Sequence, residues 1–119
     1  MTKTIKMKPL LPSLKEKKRY LVFEVMSESK FDFELVSRSM KKTFNSFLGE
    51  IGMAKAGAYI MPEKWNKSKQ KGVIRLNHDM LDEIRAALTL VKDFNGVEVL
   101  IQSVGVSGIL KKAELKFMR

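Results

Sequence analysis

"GVIRLNHDMLDEIRAALTLV", residues 72–91, changes its period halfway along, and that change decides the fold. Val73 to Asn77 is short, rich in branched residues and preceded by Gly72, which reads as a strand. Beyond it Leu81, Ile84, Leu88 and Val91 recur at three- and four-residue steps, the buried stripe of an amphipathic helix. Asn77 stands where an N-cap is expected, with Asp79, Asp82 and Glu83 in the first turn, where the helix dipole favours acids. Gly96 stands where a C-cap belongs, and "VEVLIQSVGV" at 97–106 reads as a further strand.

The chain before this stretch supplies a matching half. Leu21, Phe23 and Val25 alternate with Tyr20, Val22, Glu24 and Met26, which predicts a strand over 19–27. Phe33, Val36, Met40, Phe44 and Phe47 line one side of a helix over 32–48, with Glu34, Arg38, Lys41, Lys42 and Asn45 on the other. Asp32 is its expected cap, and Gly49 or Gly52 its expected end. A weak strand from Met53 to Ile60 is expected next, and then a polar loop, "PEKWNKSKQKG", from Pro62 to Gly72, forming a long hairpin. A terminal helix from about Ile109 carries Leu110, Ala113 and Phe117 on one side. The order predicts an α+β fold, a ferredoxin-like or RRM-like βαββαβ sandwich: a four-stranded antiparallel sheet with two helices on one face, plus a C-terminal helix. Residues 1–18, basic and broken by Pro9 and Pro12, read as an arm; residues 19–119 read as one domain.

Composition narrows the function. With 119 residues and 45% apolar content the chain can build a core without staples. It has no cysteine, which removes disulfides, thiolate metal sites and a cysteine nucleophile. His78 is the one histidine, so paired-histidine chemistry is excluded as well, and it reads as an exposed residue at a helix start. No phosphate-binding glycine motif of the P-loop or dinucleotide type occurs. The expectation is therefore a protein with no catalytic residue and no bound cofactor or metal. No run approaches the roughly 18–20 apolar residues that cross a bilayer, and residues 1–14 lack a signal-peptide core, so a soluble cytoplasmic protein is expected. Against 13 acidic residues stand 23 Lys and Arg, a net charge of +10, and the natural partner of such a body is nucleic acid.

The cations gather in three places: Lys15, Lys17, Lys18 and Arg19 before the first strand; Lys64, Lys67, Lys69 and Lys71 in the loop; Lys111, Lys112, Lys116 and Arg119 at the end. Trp65 lies among the loop lysines, either to stack on an unpaired base or to anchor the loop by packing. In "GVSGILKK", 105–112, Ser107 and Gly108 lead into a helix start followed by two lysines, either a phosphate contact or a plain strand-to-helix turn. Because Tyr20 and Phe23 point to opposite faces, no aromatic pair for base stacking is expected on the first strand. If Leu21, Phe23 and Val25 face the helices, the open face shows Tyr20, Val22, Met26, Leu100 and Val104, an apolar surface suited to a protein partner.

Taken together, "LPSLKEKKRYLVFEV" (11–25), "GVIRLNHDMLDEIRAALTLV" (72–91) and "VSGILKKAE" (106–114) resemble the archaeal ribonuclease P protein component 2 family, homologous to the Pop-five subunit of the eukaryotic enzyme. The resemblance covers nearly the whole chain. It implies a non-catalytic subunit of the ribonucleoprotein that removes 5′ leaders from precursor tRNA, with the ribonuclease P RNA and its Mg²⁺ as catalyst. It also implies a barrel-folded protein partner and leaves open a heterotetramer formed by self-association. The competing reading is an independent module that binds single-stranded RNA without a partner.

Overall fold

The computed structural model describes residues 17–119. Of the expected arm, Lys17 and Lys18 fall within it; the remainder, Lys15 included, lies outside the described residues. The elements in chain order are β1 (Lys18–Met26), α1 (Phe33–Ala56), β2 (Tyr59–Ile60), β3 (Lys71–Asn77), α2 (Leu81–Thr89), β4 (Asp93–Phe94), β5 (Val97–Glu98), β6 (Leu100–Ser107) and α3 (Leu110–Phe117). Four strands form one antiparallel sheet in the order β2-β3-β1-β6, and β4 and β5 pair separately as a small hairpin. The expected α+β sandwich with a C-terminal helix is the architecture observed.

Period-two alternation in β1 sends Leu21, Phe23 and Val25 to one face, where they meet Val36, Met40 and Phe44 of α1 and Ile84, Ala87 and Leu88 of α2. Each fully buried side chain of this size contributes about 1.5–3 kcal/mol of transfer free energy, which makes this layer the main source of stability. The other face holds a smaller cluster, in which Val22 and Val73 pack under Ala113 with Leu110 and Phe117 of α3 beside them. A register shift between Val22 and Phe23 marks a bulge in the β1–β6 pairing.

Several sequence expectations are corrected. The helix expected over 32–48 does stop at Gly49, which is non-helical at φ 73° and ψ 178°, but a second helical segment follows it directly and runs to Ala56, so α1 spans both. Its left-handed cap is Gly57, whose N–H donates to Met53 O at 3.1 Å. The strand expected over 53–60 shrinks to Tyr59–Ile60, because Met53 to Ala56 are good helix formers once the glycine is passed. Asp32 occupies the N-cap position of α1 without a capping side-chain bond. Phe47 is exposed rather than buried.

Asn77 does not cap α2 with its side chain. A 3-10 turn over His78–Met80 intervenes, and the carboxamide of Asn77 turns back to donate to Lys55 O at 2.6 Å, at the end of α1. Gly96 is not a helix C-cap either; with Asn95 it forms the tip of the β4–β5 hairpin, both at positive φ, and its N–H is taken by the Asp93 carboxylate at 2.7 Å.

Candidate nucleic-acid interface

β1 and β6 are neighbours, so the first and last basic segments of the domain meet at one end of the sheet. Tyr20 stands opposite Ser107, and the Arg19 guanidinium lies beside Gly108, where a Cβ would sit 3.4 Å from Nη1. Arg19 also donates to Lys18 O at 3.0 Å, and Lys18 donates its Nζ to the Oδ1 of Asn77 across the β1–β3 pair. Lys17 is exposed, and its carbonyl accepts the His78 N–H at 2.8 Å. His78 itself is an exposed residue at the helix start, as its sequence position implies.

The Ser107 hydroxyl accepts the Ile109 N–H at 3.1 Å, which shapes the turn into α3. Lys111 and Lys112 are exposed on the first turn of that helix and form no ion pair among the described residues. The sheet end thus assembles Lys17, Lys18, Arg19, Ser107, Gly108, Lys111 and Lys112, residues far apart in the chain. This concentrates positive charge where extended phosphate chains would meet it.

The loop cluster is arranged differently. Lys64 binds Glu114 of α3 at 2.7 Å, Lys67 binds Asp32 at 2.8 Å, and Lys71 donates to the carbonyls of Phe117 at 3.3 Å and Arg119 at 2.9 Å. The hydrogen bond to Glu114 raises the Lys64 pKa above the usual lysine value of 10.5, against a lowering contribution from desolvation. Three of the four expected RNA ligands here therefore tie the loop to α1 and α3, while Lys69 is exposed without an ion pair among the described residues. Trp65 is an anchor: its ring stacks on Phe23 at 6.0 Å and 20°, and Nε1 donates to Phe31 O at 3.1 Å. Gly72 permits this close fit, since a Cβ there would lie 2.7 Å from the Phe23 ring. Buried Gln70 completes the attachment, accepting from Phe31 N at 3.0 Å and donating to Ser29 O at 2.7 Å.

The sheet face expected to be open is crossed by α3. Val22 is 0% exposed beneath it, which corrects the reading of that residue as accessible surface. The cause is Gly105: with no side chain at that position the Phe117 ring lies directly on the strand. Tyr20 and Val104 are half-buried at the margins of α3, while Met26 (45% exposed) and Leu100 (58%) form an accessible cross-strand pair at the far end.

Two features escaped the sequence reading. Arg38, Lys41 and Lys42 on α1, with Lys92 across a groove, make a further basic surface; their i, i+3, i+4 spacing puts them on one side of the helix, but only the fold brings Lys92 opposite them. Tyr59 and Arg75 stand opposite each other on β2 and β3, with the guanidinium 5.2 Å from the ring centre, next to Tyr20 on β1. Nothing local in "AGAYI" announces that partnership.

No helix among the described residues is long and apolar enough to cross a membrane. The family described as Rpp14/Pop5 matches residues 19–118. The chain is 36% identical over 111 residues to the ribonuclease P protein component 2 of Pyrococcus furiosus, covering 93% of this chain and 91% of that protein. It is 34% identical over 112 residues to the component 2 of Archaeoglobus fulgidus, covering 94% and 98%. A chain in the cryo-EM structure of yeast ribonuclease MRP shares the fold, with a TM-score of 0.61 over 78% of this chain and 75% of that one, at 13% identity.

Proposed function

This chain belongs to the Rpp14/Pop5 family and is a ribonuclease P protein subunit, and we propose that it acts there without catalytic groups of its own, by neutralising phosphates of the ribonuclease P RNA near the site of tRNA 5′ maturation. The observation that carries this role is the meeting of Lys17, Lys18 and Arg19 with Ser107, Gly108, Lys111 and Lys112 at one sheet end. Closely spaced lysines and arginines gain affinity for RNA by releasing its counterions, and the paired end of β1 and β6 fixes their spacing. In this reading Mg²⁺ belongs to the RNA. Among the described residues no three His, Asp or Glu side chains gather into a group that could hold a metal ion.

The accessible Met26–Leu100 pair, with exposed Val97 on the nearby hairpin and Val104 at the edge of α3, is the surface we assign to a protein partner, the barrel-folded subunit or a second copy in a heterotetramer. Precursor tRNA is then the substrate of the whole complex, in the cytoplasm.

The test is precursor-tRNA cleavage by a reconstituted ribonuclease P RNA at limiting Mg²⁺, with and without this protein and the barrel-folded partner. Cleavage that requires both proteins supports the role. Absence of any effect on a competent RNA, together with tight binding of short single-stranded RNA by this chain alone, would establish the independent RNA-binding module instead.

A further inference from the structure

Across the end of the sheet from which β1 starts, Tyr59, Arg75, Tyr20 and Ser107 stand side by side on four adjacent strands. Alternation along β1 and β3 puts Tyr20 and Arg75 on the same face as Val22 and Val73, the face that α3 crosses. The helix begins only at Leu110, and it leaves Tyr59 42% exposed and Arg75 partly exposed.

Arg75 is the unusual member. Its guanidinium lies over the Tyr59 ring, but no carboxylate pairs with it, and its Nε is enclosed with no hydrogen-bond partner. Five donors in a fixed plane, held against an aromatic ring and taken by nothing in the described fold, leave an electrostatic debt that a bound acceptor would remove. The neighbouring cross-strand pairs, Lys18 with Asn77 and Val22 with Val73, contain no acid. Lys18 shares this face by alternation along β1, Arg19 alternates to the other, and Lys111 and Lys112 follow within a turn of α3. The surroundings are therefore complementary to an anion, and the flat faces within them to a base.

We propose that Tyr59, Arg75 and Tyr20 form a nucleotide platform on which an unpaired base of the RNA stacks, with an acceptor oxygen of that nucleotide on the Arg75 N–H groups and its flanking phosphates directed toward Lys18 and Lys111. This rests on the RNA-binding role proposed above and names one site within it. It also separates the sheet face by function, with RNA at the Tyr20 end and the apolar Met26–Leu100 pair left for protein.

The experiment measures the affinity of the full chain for ribonuclease P RNA across a salt series, with Tyr59→Ala, Tyr59→Phe and Arg75→Lys variants whose melting temperatures show them folded. It is joined to photo-crosslinking with RNA carrying 4-thiouridine. Loss of the aromatic face or of the planar guanidinium is expected to weaken binding about tenfold, while Tyr59→Phe binds as the parent does. Arg75→Lys and Tyr59→Ala leave the net charge unchanged, so the salt slope stays constant while the affinity falls. Crosslinked peptides containing Tyr59 complete the expected result. Wild-type binding by all three variants, or a loss confined to binding of the barrel-folded partner, overturns the platform while leaving the RNA-binding role in place. Failure of the parent chain itself to bind the RNA overturns both.

Discussion

The carboxamide of Asn77, at the last position of β3, donates to the carbonyl of Lys55 at 2.6 Å in the last turn of α1, and accepts the Lys18 ammonium on its other side. One buried side chain thus joins the first strand, the first helix and the third strand beside the basic sheet end. Asn77→Ala strands the Lys55 carbonyl, and the expected loss is about 1–3 kcal/mol of stability. Urea unfolding of the two proteins measures it; a change below about 0.5 kcal/mol would mean that water replaces the amide without loss.

Gly105 and Phe117 are a matched pair. Gly105→Ala places a methyl inside the Phe117 ring, and overpacking of this kind costs about 1–3 kcal/mol. Phe117→Ala relieves the clash, so the double variant is expected to be more stable than the two single losses added together. Protease sensitivity at Lys111 and Lys112 follows the release of α3 in the single Gly105 variant. Strict additivity in the cycle would show that the two residues do not meet.

The Lys64–Glu114 pair carries a defined pH dependence. The folded pKa of Lys64 lies above the usual 10.5, so its contribution is fully present below that value and is lost as pH rises through the folded pKa. Amide exchange along α3, compared with a Lys64→Met variant, is expected to differ at neutral pH and to converge in strongly alkaline solution. Exposure of the pair limits the size of the difference.

Lysines that look alike in the sequence are expected to behave differently with RNA. Lys111→Ala and Lys112→Ala each reduce the log-log salt slope of RNA binding by about 0.7–0.9 if each lysine neutralises one phosphate. Lys64→Ala and Lys67→Ala act mainly on stability, because both side chains already serve carboxylates. A slope reduced equally by all four would show that the loop pairs open to meet the RNA.

The fold was readable wherever apolar spacing carried it. Leu21, Phe23 and Val25 alternate in β1, Val36, Met40 and Phe44 repeat in α1, and Ile84 and Leu88 repeat in α2; all occupy the core those patterns require. What was misread involves residues with two local meanings. Gly96 after Asn95 suits a helix end as well as a hairpin tip, and the helical segment that follows Gly49 reads equally as a weak strand. The basic clusters were legible by position alone, whereas the acids that occupy Lys64 and Lys67 lie distant in the chain, at Glu114 and Asp32. Trp65 shows the same boundary: its neighbours in sequence are lysines and asparagine, and its neighbours in space are Phe23 and Phe31.

The strand order β2-β3-β1-β6 places the earliest strand at the centre of the sheet. During synthesis β1 leaves the ribosome with neither of its pairing partners made, and one of them, β6, follows only after the whole of α1, β3 and α2. Until β3 and α2 are made Leu21, Phe23 and Val25 can be shielded only by α1, and the β6-side edge of the strand stays open to other chains until the last strand arrives. Sheet closure therefore waits for nearly the entire domain, because the β1–β6 pairing is a contact between distant parts of the chain. The last strand to arrive also brings Ser107 to the sheet end beside Tyr20, so competence to bind RNA is expected to appear with completion of the fold rather than before it.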